Sequence, residues 1–250
     1  MIDLHTHILP ETDDGSKNIE QSIKMLKEAK EAGFDTICCT PHYFEHRFTK
    51  IKEENEEKIN ALRARAAEEK IDIKIILGNE IYIYDKIVEN FKDNNISCIG
   101  DTNYLLIELP MNQEIKYLHE MFTEILNSGY RIIIAHPERY KYVQKNPNYF
   151  IDFINRGIYF QGNYASIIGK YGSEAKKTIK TLVKNNLIHM LATDVHRDNS
   201  IYKDMKKIEK RLRKILKERE FDILTKENPL LLITNNELVT LEPKQKKKIF

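Results

Sequence analysis

His5-Thr6-His7 near one end of the chain and Asp194-Val195-His196 near the other each place two metal-ligand side chains two positions apart. In an extended segment that spacing points both members to one side, where they can bind a single ion together. One such pair carries little weight; two pairs joined by Asp14, His42, Glu80, Glu108 and His136 carry far more. Five imidazoles and four carboxylates without a thiolate suit ions of borderline to hard character, such as Mn²⁺, Fe²⁺ or Zn²⁺. Nine ligands exceed what one ion accepts, so two or three divalent ions sharing a bridging carboxylate are expected. Such ions lower the pKa of water and neutralise charge on phosphate oxygens, which makes hydrolysis the expected chemistry.

Basic residues beside the ligands indicate an anionic substrate. Arg139 follows His136 by three positions in His136-Pro137-Glu138-Arg139-Tyr140, and a guanidinium there can grip phosphate through two hydrogen bonds. Arg197, next to His196, is the weaker second candidate; the alternative for both is a surface arginine paired with Glu138 or Asp198. Asp13, beside Asp14, suits a partner that orients a ligand histidine. His46, His119 and His189 fall outside the pattern and read as surface or core histidines. No cysteine has an arginine six positions on, so thiolate-based phosphatase chemistry is excluded, as is a Gly-x-x-x-x-Gly-Lys phosphate loop.

These residues need a scaffold that gathers them. Seven β-rich runs alternate with amphipathic stretches: residues 1–5, 34–40, 73–80, 104–109, Arg131–Ala135, 158–161 and 189–193. His5 and His7 follow the first run and His42 the second. Glu80 ends the third, Glu108 lies near the end of the fourth, His136 follows the fifth, and Asp194 and His196 follow the seventh. In an α/β barrel those C-terminal ends converge on one face, where active sites of this architecture lie. Between the runs, Ile19, Ile23, Leu26 and Ala29 recur at helical spacing, and Gly33, Gly129 and Gly157 suit C-terminal caps. Residues 51–70 and 203–220 read as outer helices with solvated charged faces. The apolar stretch 230–233 could close the barrel, and 244–250 is expected to be a disordered basic tail.

Composition agrees. The chain has 250 residues, 41% hydrophobic and 31% charged, enough for one domain over 1–250 with a substantial core. Forty basic and 38 acidic residues leave a net charge of +2, so no overall field draws the chain to nucleic acid or a membrane. Cys38, Cys39 and Cys98 are odd in number, which fits a reducing compartment better than a disulfide framework. With neither a leader-like N-terminus nor an apolar run of ~20 residues, the expected location is cytoplasmic.

As a set, Asp3-Leu4-His5-Thr6-His7, Asp13-Asp14-Gly15, Thr40-Pro41-His42, Gly78-Asn79-Glu80-Ile81, Leu106-Ile107-Glu108, His136-Pro137-Glu138-Arg139-Tyr140 and Thr193-Asp194-Val195-His196 resemble the PHP (polymerase and histidinol phosphatase) superfamily. Within it the likeness is greatest to bacterial manganese-dependent tyrosine-protein phosphatases of capsule and exopolysaccharide loci. It runs in order from residue 1 to about residue 235, and it includes Asn228-Pro229. The resemblance implies a distorted TIM-like (β/α)7 barrel whose active site lies at the C-terminal ends of the strands. It also implies Mn²⁺ as the ion and attack on phosphotyrosine by a metal-bridged hydroxide, with a bacterial tyrosine kinase as partner. A small-molecule phosphatase such as a histidinol phosphatase is the alternative.

By the same resemblance, His5, His7, Glu80 and Asp194 hold a first ion, Glu80, Glu108 and His136 a second, and Asp14, His42 and His196 a third. Arg139 matches the phosphate-binding arginine. Such proteins usually carry a further arginine several positions beyond the final histidine. Here His196 is followed by Arg197-Asp198-Asn199-Ser200-Ile201-Tyr202, which makes Arg197 the expected substitute.

Overall fold

The computed structural model of the chain describes residues 1–84, 86–92 and 95–244. Its elements run β1 (Ile2–Thr6), α1 (Ile19–Glu31), β2 (Thr36–Cys39), β3 (His42–Tyr43), α2 (Lys52–Glu68), β4 (Lys74–Leu77), β5 (Glu80–Tyr82), α3 (Ile87–Lys92), β6 (Tyr104–Glu108), α4 (Leu118–Asn127) and β7 (Arg131–Ala135). There follow α5 (Lys141–Lys145), α6 (Ile151–Asn155), β8 (Tyr159–Asn163), α7 (Tyr164–Ile168), α8 (Gly172–Lys184), β9 (Met190–Ala192), α9 (Met205–Leu212), α10 (Glu218–Asp222) and α11 (Asn228–Ile233). Every strand pairing is parallel: β1-β2-β4 form one sheet and β3-β5-β6-β7-β8-β9 the other.

The second expected strand, 34–40, ends at Cys39, and a separate strand, β3, follows Thr40-Pro41; the third, 73–80, splits at Gly78-Asn79, and the two breaks are stitched to each other. Pro41 has no N–H to give a ladder, but its carbonyl accepts from the Glu80 N–H at 3.1 Å and from Asn79 Nδ2 at 3.0 Å. A Cβ on Gly78 would stand 3.3 Å from Cys38 Sγ, Ile99 Cα and Thr40 Cγ2, so only glycine lets these segments approach without a shift. The breaks bend the upper halves, β3 and β5, into the six-stranded sheet and aim His42 and Glu80 inward.

The two sheets meet where β1 runs beside β9. Asp194 donates its N–H to the His5 carbonyl, His7 donates to Val195, and the buried Asp3 carboxylate accepts from the N–H and hydroxyl of Thr193. On the other side β4 and β6 do not pair. Instead Gly100 donates to Leu77 and Ile99 to Tyr104, so a loop fills the gap and distorts the barrel.

Alternation along the strands separates two apolar layers. Ile133 and Ala135 of β7 join Leu4, Cys38, Leu106 and Met190 inside, while Ile132 and Ile134 pack outward with Leu26, Phe122 and Ile179. Leu232 and Leu238 enter the inner cluster from the C-terminal segment, which closes the barrel floor with a helix and an extended stretch. Burying each such side chain is worth roughly 1.5–3 kcal/mol.

Asn18 caps α1, its side chain accepting from the Gln21 N–H, and Gly33 takes φ 91° just beyond that helix. The expected helix over 203–220 is shorter: the chain turns after Leu212 so that Leu216 and Phe221 are both buried, and a π-helical turn, Ile223–Glu227, links α10 to α11. Lys244, counted with the tail, is anchored by its N–H to the Asn185 carbonyl and by its amine to Glu220; the rest of that tail lies outside the described residues. Among the described residues no helix is long and apolar enough to cross a membrane.

Candidate metal centre

Asp14 lies in the loop after β1, and each other candidate ligand lies at a strand end or just beyond one. His136 and Asp194 do so with φ of 32° and 54°, the left-handed region that non-glycine residues rarely occupy. Strain of that kind persists only where the surroundings enforce it. For Asp194 they do: its N–H is held by the His5 carbonyl, and its Oδ2 accepts from Asn163 Nδ2 at 2.7 Å and Arg139 Nη1 at 2.9 Å.

The nine side chains meet. Glu80 sits at the middle: its Oε2 lies 3.1 Å from His5 Nε2, 3.3 Å from His7 Nε2 and 3.1 Å from His42 Nδ1, while its Oε1 lies 2.9 Å from His136 Nε2. Glu108 Oε1 stands 3.8 Å from the same His136 nitrogen. Asp14 Oδ1 lies 3.6 Å from His42 Nε2 and 3.4 Å from His196 Nε2. Three groups have donor atoms close enough to share an ion: His5, His7, Glu80 and Asp194; His7, Asp14, His42 and His196; and His42, Glu80 and Glu108. His7, His42 and Glu80 thus each face two groups, and His136 stands beside Glu80 outside all three.

The chemistry of this donor set fits divalent cations. His5 Nδ1 faces Gln161 Oε1 at 2.8 Å and His7 Nδ1 faces Asp13 Oδ2 at 2.6 Å, so both rings donate there and turn lone pairs inward at Nε2. Those two Nε2 atoms are 3.2 Å apart and face the oxygens of Glu80 and Asp194. Glu80 Oε2 is buried with no hydrogen-bond donor. Acceptors crowded without donors call for positive charge. Burial disfavours the imidazolium of His5, yet Glu80 and Asp194 outweigh it and carry the group up to about 9. Burial would likewise push Glu80 up, but His5 and His42 hold it well below the ordinary carboxylate range. Burial, then the Glu80 charge, lifts Glu108 to about 8, and burial with Arg139 nearby lowers His136 to about 4.

The sequence profile of the family "Capsular polysaccharide synthesis, CpsB/CapC" matches residues 1–234. The chain belongs to the CpsB/CapC family. CapC of Staphylococcus aureus is 36% identical over 196 residues, covering 78% of this chain and 77% of that one. Tyrosine-protein phosphatase YwqE of Bacillus subtilis (strain 168) is 33% identical over 196 residues, with the same 78% and 77% coverage. A chain from the crystal structures of YwqE from Bacillus subtilis and CpsB from Streptococcus pneumoniae, described as unique metal-dependent tyrosine phosphatases, superposes with a TM-score of 0.92 at 30% identity. That superposition covers 99% of this chain and 100% of the other.

In this CpsB/CapC chain the cluster floors a cavity of about 280 Å³, which Arg139 lines together with Phe44, Arg47, Phe48 and Tyr82. Arg139 is held in place by Asp194 and by the Tyr171 ring, whose centroid lies 4.5 Å from its guanidinium carbon. Arg197 does not line the cavity. Its Nη1 donates to the carbonyls of Asp14, Gly15 and His196, so it clamps the Asp13–Gly15 loop instead of meeting a substrate. Lying next to a ligand in sequence did not aim it inward, because backbone acceptors of that loop were nearer.

Several contributors carried signals that could have been used. Gln161 and Asn163 end β8 at the same spacing of two as His5 and His7, and they hold His5 and Asp194. Glu138, between His136 and Arg139, is fully buried; its Oε1 accepts from the Asn163 N–H and the Ser166 hydroxyl, and burial raises its carboxyl to about 7. The aromatic wall had no such signal. Of the three histidines set aside, His189 is buried in the core, and His46 and His119 are exposed.

Proposed function

We propose that the chain is a metal-dependent protein-tyrosine phosphatase acting on phosphotyrosyl proteins of capsule or exopolysaccharide synthesis. The observation that carries this reading is the convergence of nine ligand-type residues in one cluster, seven of which line the cavity that also holds Arg139. Kinship with YwqE and the family's description support the choice of substrate. The proposed partner is a bacterial tyrosine kinase or its phosphorylated tail, and the proposed compartment is the cytoplasm.

His5, His7, Glu80 and Asp194 are assigned to a first ion, Glu80, Glu108 and His136 to a second, and Asp14, His42 and His196 to a third, with Mn²⁺ as the ion. Ions bound there supply an activated water and neutralise phosphate charge. The protein's own groups do the rest. Asp13 and Gln161 fix the ring orientations of His7 and His5. Arg139, tethered to Asp194 through Nη1, keeps further N–H groups for the phosphoryl oxygens, on which charge grows in the transition state. Tyrosine's phenol has a pKa of ~10, so the phenolate leaves with little acid assistance and no dedicated proton donor is required.

The test is turnover of aryl phosphates and phosphotyrosyl peptides with Mn²⁺, before and after chelation. Activity that survives complete metal removal sinks the proposal. Histidinol phosphate in parallel separates the small-molecule alternative, which faster turnover of that ester would favour.

A further inference from the structure

We propose that Arg47 supplies the second cationic contact to the phosphoryl group, the role for which Arg197 is wrongly aimed; this rests on the phosphatase reading above. Residues 44–48 form a small hairpin continuing from β3. Phe44 and Phe48 exchange both main-chain hydrogen bonds at 2.9 Å, and His46 makes the turn at φ 70°. The hairpin is fixed on two sides by rings of the site: Phe48 stacks on His42 with centroids 5.6 Å apart, and Phe44 on Tyr82 at 4.3 Å.

Arg47 projects from this braced turn into the lining of the cavity that holds Arg139. Its guanidinium carbon lies 4.9 Å from the centre of the Phe48 ring, a cation–π contact that orients the fork without consuming its N–H donors. Among the described residues no carboxylate lies within ion-pair distance of it, whereas Arg139 is tied to Asp194 and Arg197, turned to loop carbonyls through Nη1, stays out of the cavity lining. Two arginines therefore line the cavity: Arg139 has Nη1 committed to Asp194, and Arg47 has no side-chain hydrogen bond or ion pair among the described residues. A tetrahedral dianion above a cluster rich in carboxylates gains from such a fork, which can bind two of its oxygens at once.

The experiment compares wild type, Arg47→Ala, Arg47→Lys and Arg197→Ala, all loaded with Mn²⁺ and checked for bound metal. Two readouts are needed: steady-state turnover of p-nitrophenyl phosphate, and calorimetric titration of inorganic phosphate. In Arg47→Ala, KM and the phosphate dissociation constant are each expected to rise on the order of 10- to 100-fold with metal content unchanged. Arg47→Lys should recover part of the loss, since an ammonium keeps the charge but not the fork. Arg197→Ala should alter metal content more than phosphate affinity. Unchanged phosphate affinity and KM in Arg47→Ala overturn the assignment. Failure of wild type to turn over aryl phosphates would defeat the phosphatase reading instead, while the calorimetry would still decide for or against Arg47.

Discussion

Oδ2 of Asp13 lies 2.6 Å from Nδ1 of His7 and also accepts the main-chain N–H of His42 at 2.8 Å. One carboxylate thereby fixes the tautomer of one candidate ligand and the position of the strand that carries another. Partners of this kind typically govern metal affinity by 10- to 100-fold. Asp13→Ala is therefore expected to weaken Mn²⁺ binding by about that factor while the far-ultraviolet circular dichroism is kept. Calorimetric titration of metal-free protein measures it, and unchanged affinity would show that His7 needs no such support.

Metal removal should cost stability as well as activity. The inward lone pairs of His5 and His7 and the oxygens of Glu80 and Asp194 favour a bound cation that the unfolded chain cannot gather. At an ion concentration about 100 times the dissociation constant, binding stabilises by roughly 2.7 kcal/mol. For a chain of this size that is a rise of about 5–10 °C in Tm. Scanning fluorimetry with Mn²⁺ and then with excess chelator gives the comparison. Identical melting curves would count against a metal centre.

The positions of the strands and of the ligand-type residues at their ends were legible because apolar runs and punctuation repeat seven times. Three features were not. The break at Pro41 lies just beyond one continuous β-rich run and that at Gly78 lies within another, and their cause is a meeting of two segments nearly forty residues apart. The end of α9 was hidden because apolar spacing continues through Ile215 and Leu216 while the backbone turns. The hairpin at 44–48 contains no Gly, Pro or Asn, and its left-handed position is taken by His46, so turn chemistry gave no warning. Arg197 shows a different limit: spacing places a side chain near a site, and the available acceptors decide where it points.

Gly15 couples loop packing to the centre. A Cβ there would stand 2.1 Å from the His7 carbonyl oxygen and 2.5 Å from its Cβ, and the Gly15 N–H donates to Asp13 Oδ1 at 2.8 Å. Gly15→Ala must push the loop away, carrying Asp14 from His42 and His196. The expected result is loss of metal from that group and at least a tenfold fall in activity, with a stability cost of about 1–3 kcal/mol from overpacking. Metal analysis of the purified variant beside wild type reads the first effect directly, and a full metal complement would refute the coupling.

His189 makes stability sensitive to acid at a place remote from the metals. It is buried, and its Nδ1 accepts the Phe160 N–H at 3.1 Å, which requires an unprotonated nitrogen. Burial lowers its pKa to about 3, against ~6.5 for the unfolded chain. Between those values the unfolded state binds the extra proton, so the contribution of His189 is whole above pH ~6.5 and drains away as pH falls toward 3. At pH 5 the loss relative to pH 8 is about 2 kcal/mol, from 1.36 kcal/mol per unit. His189→Asn keeps an acceptor near the Phe160 N–H but cannot titrate. It should be less stable than wild type at pH 8, yet lose about 2 kcal/mol less on moving to pH 5. Urea unfolding of both metal-free proteins at the two pH values isolates the term, because the ligand histidines contribute equally to each and cancel in the difference. Equal losses would mean that His189 is protonated, or exposed to water, in the native state.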